Sequence, residues 1–209
     1  MRGRFITFEG IEGAGKSTQI ALLADWLRTQ GESVLVTREP GGTPLSERIR
    51  ALFLGEESGG MLPETELYLV FAARAQHVGE VIRPALAQGT WVLCDRFQDS
   101  TLAYQGYGRG VNPEVILRLG ELAAGGVCPD LTFLLDIAPE AGLERCRQRQ
   151  SLLTRLDQEE LAFHRRVREG FLHLASREPE RILLLDAFRP SPTIFRQIQE
   201  GVAHVRNRI

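Results

Sequence analysis

Gly10-Ile11-Glu12-Gly13-Ala14-Gly15-Lys16-Ser17 satisfies the spacing GxxxxGK[ST] and lies between an apolar run, Phe5 to Phe8, and an amphipathic run in which Ile20, Leu23 and Leu27 recur at helical spacing. A Gly-rich turn from a strand into a helix aims several backbone N–H groups at one point. That point is also the positive end of the helix dipole, so the turn is a cradle for phosphate oxygens. Lys16 is placed to reach the β/γ-phosphates of a nucleotide, and the Ser17 hydroxyl to ligate Mg²⁺. Gly10, Glu12, Gly13, Ala14, Gly15, Lys16, Ser17 and Thr18 together form the expected nucleotide-binding set, and the motif alone does not say which nucleotide. Of the 25 basic residues Lys16 is the only lysine and the other 24 are arginine. The planar fork of an arginine would not serve as a point charge inside a tight loop, which accounts for the exception.

Apolar runs rich in β-branched and aromatic residues recur at Val34 to Val36, Trp91 to Cys94, Leu131 to Ile137 and Ile182 to Leu185. Continuous apolar strands separated by helical patterns predict an α/β fold with a parallel sheet covered on both faces. The expected helices are Gln19 to Gln30, Pro63 to Gln88 with a kink or division at Pro84, Glu140 to Gln148, Asp157 to Ser176 and Pro192 to Arg206. With 209 residues and no internal repeat or linker, residues 1–209 are expected to form a single domain. Gly55 to Gly60 and Gln148 to Thr154 are the expected mobile loops.

Composition removes several alternatives. A net charge of −2 leaves no broad basic surface for nucleic acid. The apolar runs stop well short of the roughly 20 residues of a membrane helix, and Met1-Arg2-Gly3-Arg4 leads directly into a strand without a secretion signal, so a cytoplasmic protein is expected. Cys94, Cys128 and Cys146 form no CxxC pair for zinc or redox chemistry. Neither NKxD nor DxxG occurs, which argues against a GTPase switch, and the length suits a small kinase. The open question is the acceptor of the phosphoryl group.

Asp95-Arg96 follows the third apolar run, at the sheet edge where open α/β folds bind ligands. Asp95 suits Mg²⁺ water or acceptor orientation and Arg96 suits an acceptor phosphate, or else the two form a structural ion pair. Leu67, Phe71, Arg74, Val78 and Ile82 share one helix face. Either Phe71 stacks on a flat base while Arg74 bonds its rim, or Phe71 is core and Arg74 pairs with a buried carboxylate. Ser100, Thr101, Tyr104 and Gln105 lie within two helical turns of Arg96 and read as a sugar and base reader or as a polar turn. Arg38-Glu39-Pro40-Gly41-Gly42-Thr43 follows the second strand as an acceptor-phosphate loop with a candidate cis bond at Glu39-Pro40, or as a plain strand-to-helix turn.

Phosphoryl transfer requires positive charge along the transferred group, and the phosphate loop supplies only Lys16. Arg145, Arg147, Arg149 and Arg155 surround a flexible loop in sequence and read as a lid, roughly residues 146–157, that brings an arginine to the site in cis. Taken singly, Arg145, Arg147 and Arg149 read better as a solvated helix end, whereas Arg155 is read as functional.

Taken in order, Gly10 to Ser17, Arg38 to Thr43, Phe71-Ala72-Ala73-Arg74, Asp95-Arg96-Phe97 and Ser100 to Gly106 resemble the bacterial thymidylate kinases, a family of P-loop nucleoside-monophosphate kinases. The resemblance implies transfer of the γ-phosphoryl of ATP to thymidine 5′-monophosphate with Mg²⁺, for DNA precursor synthesis. It also implies a homodimer of a P-loop NTPase fold with a five-stranded parallel sheet, helices on both faces and a mobile lid. Phe71 would stack on thymine, Arg74 bond the base carbonyl, Arg96 and Arg38 hold the acceptor phosphate, and Gln105 lie near the base. Tyr104 would crowd the position of a ribose 2′-hydroxyl, and Glu12 would lie near the sugar 3′-hydroxyl. Lys16, Asp95, Arg96 and Arg155 form the implied catalytic set. The other readings are a kinase for another nucleotide or deoxynucleoside, and a non-catalytic nucleotide-binding module. The segment Thr154-Arg155-Leu156-Asp157 departs, at its first and last residues, from the family's usual pattern of Asp, Arg, an aromatic or aliphatic residue and Glu.

Overall fold

The structure, a computed structural model, describes residues 2–55, 60–148 and 154–207. All five apolar runs are strands: β1 Phe5–Glu9, β2 Val34–Arg38, β3 Trp91–Asp95, β4 Leu131–Asp136 and β5 Ile182–Asp186. They form one parallel sheet in the order β2-β3-β1-β4-β5. In β1 every residue is buried, with Phe5 opposite Val92 on one side and Ile6 opposite Leu131 on the other. The chain leaves β1 toward β2 and later crosses to β4, so its order reverses at β1. A crevice opens there beyond the carboxyl ends of the strands, and the phosphate loop emerges into it.

Helix α1 spans Lys16–Thr29, three residues longer at its start than its apolar periodicity indicates. Its first turn, Lys16-Ser17-Thr18, belongs to the phosphate loop, and the apolar pattern begins only where the helix meets the core at Ile20 and Leu23. Two further helices, α2 Pro44–Leu54 and α6 Pro113–Ala124, were not expected from periodicity. Both carry end signals: Thr43 Oγ1 accepts from the Ser46 N–H at 3.0 Å and Asn112 Oδ1 from the Glu114 N–H at 2.9 Å, each with proline as the first helical residue.

The long helix divides as α3 Pro63–His77, a π-helical turn Val78–Ile82, and α4 Arg83–Ala87. The departure lies one turn before Pro84, because proline offers no N–H to residue 80 and its ring crowds that carbonyl; widening the preceding turn relieves both. After β3 come α5 Gln98–Thr101 and a second π-helical segment, Leu102–Gly108. After β4 comes α7 Pro139–Gln148, and α8 Leu161–Arg177 and α9 Ser191–Asn207 flank β5. Helix α8 starts four residues later than expected. Asp157 instead closes a turn by accepting from the Thr154 N–H and hydroxyl, both at 2.7 Å. Of the loops expected to be mobile, residues 56–59 and 149–153 lie outside the described residues. Among the described residues no helix is long and apolar enough to cross a membrane.

Candidate active site

The phosphate loop depends on glycine where backbone meets backbone. Gly10 and Gly13 have φ of 131° and 72°, and a Cβ on either would fall 2.4 Å from the Leu135 carbonyl oxygen or 2.1 Å from that of Gly142. Carbonyls of the loop itself hold Lys16, whose Nζ donates to Gly10 O at 3.0 Å and Ile11 O at 3.1 Å. Burial, together with the neighbouring Arg96 charge, lowers the Lys16 pKa, against the pull of Asp95, Glu12 and Glu9. Ser17 Oγ donates to Asp95 Oδ2 at 3.4 Å, while Asp95 Oδ1 is buried with no hydrogen-bond partner among the described residues. One hydroxyl and an incompletely satisfied carboxylate are hard oxygen donors that fit Mg²⁺, which commonly takes one or two protein ligands and fills its shell with phosphate and water.

Beside the loop lies a cavity lined by Glu12, Arg74, Arg96, Ser100, Thr101, Tyr104 and Gln105 among others. Its hub is Arg96, at φ 72° the one non-glycine residue with positive φ among the described residues. That backbone turn, a sparsely populated conformation, aims the guanidinium back over the phosphate loop. Nη1 donates to Gly10 O at 3.0 Å and Ser100 Oγ at 3.1 Å, and Nη2 to Glu12 Oε1 at 3.0 Å. Tyr104 donates to the same Glu12 oxygen at 2.6 Å, and its ring lies 4.9 Å beneath the Arg96 guanidinium. Burial alone would raise the Glu12 pKa, but Arg96 and Lys16 reverse it, so the carboxylate is held charged below its usual range. Burial pushes the Tyr104 phenol well up, which keeps it a donor.

Arg74 is 1% exposed, and the structure gives it a buried carboxylate partner while leaving it on the cavity wall. Its Nε donates to Glu39 at 2.7 Å, Nη1 to Gln98 at 2.5 Å and Nη2 to Thr101 at 2.9 Å. His77 braces Glu39 from behind at 3.0 Å. The Glu39–Pro40 peptide is cis. Phe71 packs with Leu67, Leu102 and Ile116 under the Arg74 guanidinium, off the cavity surface. Arg38 also stands away from this cavity, paired with Glu47 at 3.0 Å along a groove shared with Ser17 and Asp95. Arg50 and Phe53 of α2 line the cavity and were not singled out in the sequence. Their signal is the capped helix start at Thr43-Pro44 immediately after the Arg38 loop.

Arg155 docks on the rim of this cavity. Its Nη1 donates to Glu66 Oε1 at 2.7 Å, and Nε and Nη2 to Phe53 O at 3.3 Å. Glu66 is fully buried on α3 and also receives Arg109 at 3.0 Å and Gln105 at 3.2 Å. Arg145 instead reaches the phosphate loop, donating to Gly13 O at 3.4 Å and Ala187 O at 3.3 Å. Arg147 is exposed, 3.9 Å from Glu144, and Arg149 lies outside the described residues.

Glu9, the last residue of β1, was also missed in the sequence. It accepts the Phe97 N–H at 2.7 Å and the Ser100 hydroxyl, and so fixes the backbone on both sides of Gln98 below Arg96. Burial, then the Asp99 charge, raises its pKa from 4.5 to about 7. Between those values the folded chain retains a proton that the unfolded chain has lost, so this contribution to stability is present below about pH 4.5 and is lost as pH rises through about 7. Relative to the parent, Glu9→Gln should therefore gain several degrees of Tm, on the order of 5 °C, between pH 5 and pH 8. A Tm difference that is flat across that range, measured by calorimetry, would contradict the raised pKa.

Sheet order, glycine loop and strand-end aspartate define a P-loop NTPase fold. Residues 8–198 match the thymidylate kinase family model. The thymidylate kinase of Magnetococcus marinus is 52% identical over 203 residues, covering 95% of this chain and 97% of that protein. That of Thermomicrobium roseum is 54% identical, covering 98% and 96%. The solved thymidylate kinase of Ehrlichia chaffeensis superposes with a TM-score of 0.80 at 34% identity, covering 97% of this chain and all of that one. The chain belongs to the thymidylate kinase family.

Proposed function

We infer that the chain transfers the γ-phosphoryl group of ATP to thymidine 5′-monophosphate, producing the diphosphate for DNA precursor synthesis. The observation that carries this reading is Arg96, which spans the phosphate loop and the adjoining cavity and so joins a donor site to an acceptor site. In this reading Lys16 and the loop amides hold the ATP phosphates and Arg96 holds the acceptor phosphate, which Arg38 joins only by leaving its pair with Glu47 in the groove beside Ser17 and Asp95. Arg74 and Thr101 face the base edge, Gln105 lies beside the base and Phe71 backs Arg74. Tyr104 and Glu12 take the sugar, Tyr104 excluding a 2′-hydroxyl and Glu12 accepting from the 3′-hydroxyl. Ser17 and Asp95 would hold Mg²⁺, which supplies charge neutralisation along the phosphates.

In this reading residues 1–209 act as one domain, and residues 154–157 are the described end of the lid expected at 146–157, whose residues 149–153 lie outside the described residues. Exposed Tyr68 on α3 and exposed Leu117 and Leu122 on the neighbouring α6 give apolar surface on which a second copy can close a homodimer. A nucleotide substrate drawn from the pool of DNA precursors supports a cytoplasmic address.

A coupled assay with ATP across monophosphate acceptors tests this function. Thymidine monophosphate should outperform uridine, cytidine and adenosine monophosphates, and equal turnover of any ribonucleotide would overturn the reading. Two variants divide the site. Arg96→Ala should weaken every acceptor alike. Arg74→Ala should erode discrimination among bases, and it should also destabilise the fold by about 3 kcal/mol, because Glu39 is left as a buried carboxylate without its main partner. Identical selectivity profiles for the two variants would show that one role is misassigned.

A further inference from the structure

Glu12 is held through one oxygen only. Arg96 and Tyr104 both bond Oε1, while Oε2 is buried with no hydrogen-bond partner among the described residues. Facing it is His164, in the first turn of α8 and fully buried, whose Nδ1 and Nε2 also have no partner there. Nδ1 stands 3.7 Å from Glu12 Oε2, somewhat less than an ångström beyond hydrogen-bond length. A buried polar group without a partner costs on the order of 1–3 kcal/mol, so a buried acceptor and a buried donor facing each other are poised to meet. Phe163 makes edge-type ring contacts with both His164, at a centroid distance of 5.6 Å, and Tyr104, at 6.2 Å, and so links the two sides of Glu12. Helix α8 is also the element that the chain enters directly after the Arg155 segment.

We propose that His164 is a positioning residue for Glu12. When α8 moves the remaining distance toward the phosphate loop, the Nδ1–H donates to Oε2. The carboxylate, already fixed through Oε1, then has its plane locked toward the acceptor's sugar hydroxyl. Docking of the segment before α8 is thereby coupled to sugar recognition through one hydrogen bond. This rests on the reading that Glu12 accepts from the 3′-hydroxyl, and the experiment separates the two.

The probes are thymidine monophosphate and its 3′-deoxy analogue, assayed with ATP in the parent, Glu12→Gln, His164→Leu, His164→Asn, His164→Gln and the Glu12→Gln/His164→Leu double variant. His164→Leu should raise KM for thymidine monophosphate about tenfold and shrink the preference over the 3′-deoxy analogue by a similar factor, with KM for ATP unchanged within about twofold. His164→Asn, whose amide nitrogen can occupy the place of Nδ1, should retain most of the preference. His164→Gln, which places its amide near Nε2, should lose it as the leucine does, and it provides the comparison if the leucine variant fails to fold. In the Glu12→Gln background His164→Leu should add little. If Glu12→Gln abolishes the 3′-hydroxyl preference while His164→Leu and His164→Gln leave it intact, the positioning role falls and the Glu12 role stands. If Glu12→Gln itself leaves the preference unchanged, both fall. Equal losses in the asparagine and glutamine variants would reduce His164 to packing and overturn the proposal.

Discussion

Lys16→Ala should lower kcat by about 10²–10³ while leaving the dissociation constant of thymidine monophosphate within a few-fold of the parent. The lysine is bonded to Gly10 O and Ile11 O, inside the loop and off the lining of the neighbouring cavity, and in the proposed reading its charge acts on the transferred group. An interaction that strengthens as charge redistributes appears in kcat, whereas ground-state binding of the acceptor does not depend on it. Lys16→Arg should fail nearly as badly. Two carbonyls of a closed glycine loop, Gly10 O and Ile11 O, receive a single ammonium, and a wider planar fork does not match that point-charge position. Steady-state kinetics together with equilibrium titration of the acceptor check both variants, and a near-parental kcat in either would mean that the loop does not work on the γ-phosphate.

The second large effect concerns Arg155. As the cis finger its removal should cut kcat by about 10³ with modest changes in binding. The structure adds a condition, because Arg155 is docked on Glu66 and the Phe53 carbonyl and must exchange those partners for the phosphoryl group during turnover. Glu66→Gln removes the opposing charge, so it should weaken docking without removing the arginine. A finger therefore predicts a large loss in Arg155→Ala and a small change of either sign in Glu66→Gln. If Arg155 serves only to dock the segment, the two variants lose activity equally. Single-turnover rates decide, with Arg145→Ala alongside because Arg145 already touches Gly13 O. A normal rate in Arg155→Ala with a loss in Arg145→Ala moves the catalytic cation to α7.

The five strands and the loop between β1 and α1 were legible because both signals are local: apolar runs for buried parallel strands, and glycine spacing for a closed phosphate cradle. Helices α2 and α6 were passed over although a cap residue followed by proline marks both starts, and in α6 exposed Val115, Leu117 and Leu122 stand beside the buried Ile116. Neither π-helical segment has a local signature of its own, yet Leu102–Gly108 carries Tyr104 and Gln105 into the cavity. The partners of the site arginines were hidden for a different reason. Glu66 lies 89 residues from Arg155 and Glu39 35 residues from Arg74, and only the fold brings such carboxylates within reach. At the departure from the family pattern Thr154 and Asp157 bond each other, and Arg155 is held by Glu66.

The single lysine has a practical consequence. Apart from the amino terminus, the chain presents one aliphatic amine, so an amine-selective acylating or imine-forming reagent is in effect a probe of the phosphate loop. Burial and the Arg96 charge lower the pKa of that amine, which increases the fraction present as free base near neutrality, while the surrounding backbone limits access. Mass added to Lys16 therefore reports loop opening, and protection of that one position reports occupancy by a nucleotide, without any label being engineered into the protein.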